Sequence, residues 1–412
     1  MGWCTTFDLD QFAAAAGGYL MSRAAENTLL LSTAQGAETA RAAKTARAGW
    51  RLPVNGQQPA APLPGLLFGW WEPPDGGEPR GAFVHDPSVP LLISGRAPEM
   101  AAALAATLAK MGRQVCGVDA PTEVADAFAA AWSQRAGTTV RAHRNCRVYR
   151  LAGVSPGTPP QATPGHGTLS PATPPQGMPA VGTGGWPSAE IPGPAGRLRV
   201  AAAGDQALLA DWLTAFATES AERLSSASDL AADLISYGGA VFWEVPGKPS
   251  RFRDAAHYLP IPHHRDLSQL AEPGHQPMAL ATLTRPVAGT VRISMLYTMP
   301  ERRHSGYATA LTLAVSRAVL TGAAPGGAPG GAAPVSAQGV LGALSRHVNE
   351  VVMIADKSRP DRWSGRFGYQ LVGERAVLRF GPVTGPLPRA QPSGAMPRLP
   401  TGPLPRLPRL RR

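Results

Sequence analysis

Two hydrophobic patterns alternate along the chain. Short apolar runs bounded by Gly, Pro, Asp or Ser predict strands, and apolar positions recurring every three or four residues predict helices. Asp8 caps a first helix through Phe12 and Leu20, and residues 26–35, with Leu29, Leu30 and Leu31, form a second. Residues 37–58 are small and polar and read as a loop. Strands follow at 66–71, 81–85 and 91–94, the first two joined by a turn at Asp75-Gly76-Gly77. A helix over 97–111, a strand over 115–118, a helix over 122–135 and a strand over 140–151 complete this part. The pattern then recurs: helices at 205–219 and 228–237, strands at 239–245, 277–284 and 290–298, a helix from Ser305, and strands at 350–356 and 371–380. The shared order predicts an internal structural duplication.

These elements divide the chain into a lobe over 1–151, a linker over 152–196, a lobe over 197–380 and a tail over 381–412. The linker is Pro, Gly, Thr and Ala, with Glu190 and His166 its sole ionisable side chains, and it cannot build a core. The tail has nine prolines, six arginines and no acid, a composition suited to polyproline II or a disordered solubilising end. Residues 248–276 read as a surface insertion, and 322–334, a Gly/Ala/Pro run, as a loop. The insertion's His257, His263, His264 and His275 lack the spacing of a metal site, so no metal is expected. Trp70 and Trp71 read as packing.

The stretch from Thr290 to Leu320 carries the chemistry. A strand ends at Pro300, a basic loop follows, and a helix begins whose apolar face holds Leu311, Ala314, Val315, Ala318 and Val319. Free N–H groups at a helix start, with Gly306 allowing close backbone approach, make an anion site, and Arg302, Arg303 and the helix dipole add positive potential. Arg303-His304-Ser305-Gly306-Tyr307-Ala308 resembles the acyl-CoA signature of the GNAT superfamily of N-acyltransferases: Arg or Gln, two residues, Gly, one residue, Gly or Ala. Many members have Gly directly after the Arg, where His304 stands here.

The resemblance implies an α/β (α+β) fold of two GNAT-like lobes, each a mixed sheet flanked by helices, the first a degenerate copy without the acyl-CoA loop. It implies that the fourth strand splays from the fifth, so that Leu296, Tyr297 and Thr298 line the acyl and pantetheine arm. Arg303, His304, Ser305, Gly306, Tyr307, Ala308 and Thr309 would hold the diphosphate, and acetyl-CoA would be the cosubstrate. A second segment, Asp356 to Pro360 followed by Arg366-Phe367-Gly368-Tyr369, resembles the end of the fifth strand and the helix beyond it. There Ser364 occupies the place of the tyrosine that protonates the departing thiolate in relatives. Glu244 and Glu219 are the candidate general bases. The expected activity is transfer of an acetyl group to a primary amine of a small molecule or protein. The alternatives are an acyl-CoA-binding regulatory protein without turnover, and an adaptor working through the linker and tail.

Composition trims this picture. The net charge of +11 sits largely in the tail and does not argue for a nucleic-acid surface. No apolar run suits a membrane span or a signal peptide. Cys4, Cys116 and Cys146 are too few and too far apart for a disulfide framework, and a reducing cytoplasm is the expected compartment.

Overall fold

The computed structural model describes residues 2–47, 65–73, 76–152, 193–220, 226–246, 275–322, 348–361 and 367–382, with Leu224 and Trp363. Most of the linker, the 248–276 insertion and the tail, residues 323–334 and Ser364 lie outside the described residues.

The first half runs β1 (Gly2–Thr6), α1 (Leu9–Ser22), α2 (Thr28–Arg47), β2 (Leu67–Glu72), β3 (Ala82–His85), β4 (Leu91–Ser94), α3 (Pro98–Lys110), β5 (Gly117–Pro121), α4 (Thr122–Ala136) and β6 (Thr138–Ala152). The second runs β7 (Arg197–Val200), α5 (Gln206–Ser220), α6 (Ala227–Tyr237), β8 (Ala240–Pro246), β9 (His275–Leu283), β10 (Thr290–Thr298), α7 (Tyr307–Thr321), β11 (Glu350–Asp356) and β12 (Gln370–Pro382). Local rules set many of the boundaries. Asp8 accepts the Asp10 amide at the start of α1, Ser226 accepts that of Asp229 ahead of α6, and left-handed glycines stop α4, α6 and α7 at Gly137, Gly238 and Gly322.

All twelve strands form one sheet in the order β1-β2-β3-β4-β5-β12-β6-β11-β10-β9-β8-β7. Two pairs are parallel, β4–β5 and β10–β11, one in each half. The last strands are exchanged. β12 lies against β5 of the first half, and β6 lies against β11 of the second. The two then pair with each other over a long antiparallel ladder from Gln370↔Arg150 to Pro382↔Thr138. A buried ion pair fixes the exchange: Arg375 Nε on β12 meets Asp119 Oδ1 on β5 at 2.8 Å, and Arg375 Nη2 donates to the Asp119 carbonyl.

Helices α3 and α4 cover one face of the first half around Leu104, Leu108, Phe128, Ala376 and Leu378, and α1 and α2 cover the other around Phe12, Leu20, Leu30 and Phe68. In the second half α7 packs on Val241, Ala281 and Val291, and α5 and α6 on Phe242, Leu280 and Tyr297. The β9–β10 turn at Ala288 and Gly289, both left-handed, reaches the first half. Gln35 donates to the Pro286 carbonyl, and Arg292 to Ser32.

Two sequence expectations are corrected. Residues 37–47 are helix, because α2 continues through a run rich in Ala, Thr, Lys and Arg with no proline to stop it; Arg41 ties it to Asp10 in α1 at 2.9 Å. β1 and β7 went unread, being short strands at the two outer edges of the sheet. Trp70 and Trp71 are indeed packing: Trp71 meets Trp3 edge to face at 5.4 Å, and Trp3 donates its indole N–H to the Met100 carbonyl.

Asp119→Ala strands Arg375 as a buried, unpaired cation, and equilibrium denaturation should show a loss of about 3–5 kcal/mol. His85 gives a pH signature. It is fully buried, accepts from Arg113 at Nδ1 and lies 3.0 Å from the Gln114 carbonyl at Nε2; burial first, then Arg113, lowers its pKa to about 4. In the unfolded chain it protonates near its ordinary value. Its contribution is therefore complete above about pH 6.5 and drains away as pH falls toward 4, by up to about 1.4 kcal/mol per pH unit. Replacement His85→Gln should flatten the stability–pH curve across that window by about one proton.

Candidate active site

The site is built from a strand pair that parts. β10 and β11 are in register from Thr290↔Glu350 to Ile293↔Met353. At Ser294 the β9–β10 register shifts, and beyond it Met295 to Thr298 pair with β9 alone. Across the gap, Ile354 to Asp356 pair with β6. An irregularity bends a strand locally, so the C-terminal ends of β10 and β11 diverge.

On the β10 side, Leu296 packs toward α7, and Tyr297 is buried on the opposite face with its ring 5.6 Å from Trp212. Burial, and then Glu219, raises the Tyr297 pKa. Thr298 ends the strand. Its hydroxyl oxygen is buried and has no partner among the described residues.

Pro300–Arg302 forms a single 3-10 turn, which the Arg302 amide closes on the Met299 carbonyl. His304 then takes φ 63° and Gly306 φ 86°. Two left-handed residues swing the chain round so that α7 starts at Tyr307 with no side-chain cap. The Ala310 amide closes the first turn on the Gly306 carbonyl. Among the described residues, the amides of His304 through Thr309 donate to no protein acceptor. They form a donor cluster at the positive end of a fifteen-residue helix. The left-handed φ also explains the departure at His304: the position needs that conformation, which glycine adopts freely and histidine more readily than most side chains. The segment ahead of β7 borders this turn, since a Cβ on Gly306 would stand 3.4 Å from Pro194 Cδ.

Arg303 points away from the donor cluster. Its Nε donates to the Thr298 carbonyl at 3.0 Å, its Nη2 meets both Glu219 oxygens at 2.7 and 2.8 Å, and the guanidinium lies 5.8 Å from the Tyr297 ring centre. It braces the loop against the end of β10 and the last turn of α5. Its charge is offset there, and Glu219, named as a candidate base, is its partner.

Glu244 is withdrawn as a base. It is wholly buried, with one oxygen on Arg197 at 3.0 Å and the other on Arg199 at 2.5 Å. Arg199 also holds Asp205, whose carboxylate accepts the Ala202 amide. With both oxygens taken up by guanidiniums, this carboxylate serves as a latch between β7 and β8. Beyond β11, Trp363, Phe367 and Tyr369 form an aromatic cluster with Met353 and with Tyr149 of β6. The Tyr369 hydroxyl lies 2.7 Å from that of Ser316 in α7, a buried contact that ties β12 to the helix, and burial raises its pKa. Tyr149 carried no sequence signal, because strand exchange alone brings it here.

The first half has no such loop. Three residues, Gly95 to Ala97, join β4 to α3, and Met100 fills the space, since a Cβ on Gly95 would meet Met100 Cε at 2.5 Å. Among the described residues, no cluster of three or more His, Cys, Asp or Glu is placed to hold a metal ion, and no helix is long and apolar enough to cross a membrane.

Each half thus has the mixed strands and flanking helices that the resemblance implies, although the two expected sheets are joined into one with their last strands exchanged, and β10 parts from β11 where the resemblance implies a splay. Protein-family models and curated protein sequences give no match to this chain. Among solved structures, the chain is similar to a GCN5-related N-acetyltransferase from Sphaerobacter thermophilus, with 13% identity, 76% of this chain and 79% of that one covered, and a TM-score of 0.38. It is similar to a GCN5-related N-acetyltransferase from Kribbella flavida, with 14% identity, 73% and 86% covered, and a TM-score of 0.36. It is also similar to a tandem GNAT protein from the clavulanic acid biosynthesis pathway, with 12% identity, 78% and 85% covered, and a TM-score of 0.33.

Because His304 must stay left-handed, His304→Gly should leave stability within about 1 kcal/mol, whereas β-branched His304→Val should cost about 1–2 kcal/mol, both read from thermal unfolding. Glu244→Ala should cost about 3–5 kcal/mol by leaving two guanidiniums facing each other.

Proposed function

We propose that residues 197–380 form an acyl-CoA-dependent N-acyltransferase, with acetyl-CoA as donor and a primary amine of a small molecule or protein as acceptor. The observation that carries this reading is the row of amides from His304 to Thr309, without a partner among the described residues, beside the parted ends of β10 and β11. Those amides suit a diphosphate. The gap suits an extended pantetheine arm lying along Leu296 to Thr298, with the thioester oxygen on a strand amide turned away from β9 as it becomes an oxyanion. The uncharged amine then attacks the thioester carbon, the C–N bond forms, the C–S bond breaks, the thiolate leaves, and the proton lost by the nitrogen passes to the thiolate or to water. Holding both reactants in one crevice supplies much of the rate.

A second reading, acyl-CoA binding without turnover, is favoured by one observation. Both carboxylates nearest to a base role, Glu219 and Glu244, are tied to arginines. Thiol release from acetyl-CoA across a panel of amines separates the two. Turnover should appear with at least one amine and fall at least tenfold in Gly306→Val, which blocks backbone approach at a left-handed position. Thermal stabilisation by CoA with no thiol release on any amine selects the second reading, and absence of both overturns the two together.

A further inference from the structure

Arg303 links the diphosphate loop to a helix that supplies none of its amides. Its backbone is extended, at φ −66° and ψ 161°, and the left-handed His304 then turns the chain toward α7. Its side chain runs the other way, to α5. Nη2 reaches both oxygens of Glu219 in the last turn of that helix, at 2.7 and 2.8 Å, across 84 residues of chain. The guanidinium also lies 5.8 Å from the Tyr297 ring centre, and that ring is 5.6 Å from Trp212, about two turns earlier in α5. The loop therefore meets α5 at two points through one side chain.

The two helices lie on opposite faces of the sheet. α7 packs on the face that carries Leu296, and α5 on the face that carries Tyr297, with Met295 and Met299 beside it. With α7 over one face of the parted strands, an amine reaches a thioester held between them from the other face, which α5 flanks.

We propose that Glu219 is a positioning residue: acting through Arg303, it couples the diphosphate loop to the end of α5, so that a donor bound on the amides steadies the helix beside which the acceptor approaches. Donor then binds ahead of acceptor, and each tightens the other. The coupling rests on the acyl-CoA reading of the same loop. Its size is bounded by the exposure of the pair, 38% for Arg303 and 44% for Glu219, which limits it to about two- to fivefold.

Hydrogen exchange on the full-length protein, read by mass spectrometry, tests the link without a turnover substrate. Saturating CoA should slow exchange in segment 304–310 and, by about two- to fivefold, in 212–220. ADP, which carries the diphosphate without the pantetheine arm, should do the same, and S-acetylpantetheine should not. Glu219→Ala should keep the protection of 304–310, lose that of 212–220 and raise the Kd for CoA by about two- to fivefold, with the unliganded Tm within about 4 °C of the parent. Thr218→Ala, at an exposed neighbour in the same turn, should keep both protections. Glu219→Gln, which keeps the length of the side chain without its charge, repeats the test should the alanine variant fail to fold. Protection of neither segment overturns the acyl-CoA reading, and the coupling falls with it. Protection of 304–310 alone, faster exchange in 212–220, or protection of 212–220 that survives loss of the Glu219 carboxylate overturns the coupling and leaves that reading standing.

Discussion

The backbone hydrogen bonds that β12 makes on both of its edges are the constraint on which the molecule depends. Without β12, β5 and β6 would face one another as open edges with unpaired N–H and C=O groups, and the sheet would break at its centre. Because β12 comes from the far end of the chain, the first half is finished last. The Arg375–Asp119 pair adds register to this pairing, since a slip of one residue would drive a guanidinium into the cluster of Ala376, Leu378 and Phe128 on the other face.

The same exchange shapes the crevice of the second half. β6 takes the free edge of β11 and holds it straight from Glu350 to Asp356, while β9 draws the end of β10 the other way after the shift at Ser294. The parting is thus a competition between two neighbours for two strands that can satisfy only one side each. The chain leaves β10 through Pro300 and the left-handed His304 and Gly306, and the amides that follow find no protein acceptor among the described residues. Arg303 with Glu219, and Glu244 with Arg197 and Arg199, hold the surrounding elements in place, which is why charges that look chemical in sequence turn out to be braces.

The two halves differ most in the connection after their fourth strands. Gly95 to Ala97 lead straight into α3, and Met100 and Trp3 close the space that the longer loop after Thr298 leaves open. A loop of that brevity cannot present a run of free amides. The first half does retain a cleft on the α1–α2 side, lined by hydroxyl, amide, carboxylate and guanidinium groups.

Much of this was legible in the residues. The strands at 91–94, 290–298 and 350–356 and the start of α4 at Thr122 follow from apolar runs and breakers, and the turn after Arg303 from the proline, the glycine and the helical stripe behind it, because these are local preferences of a few residues. What the residues left open was non-local. β1 and β7 are edge strands with too little apolar content to announce themselves; α2 outran its apolar stripe; and Glu244 and Glu219 read as free acids because their arginines lie some tens of residues away along the chain. The placing of β12 between β5 and β6 could not be read at all. A strand's alternation says which face is buried, and only the competition among open edges in the folded chain decides which neighbour it pairs with.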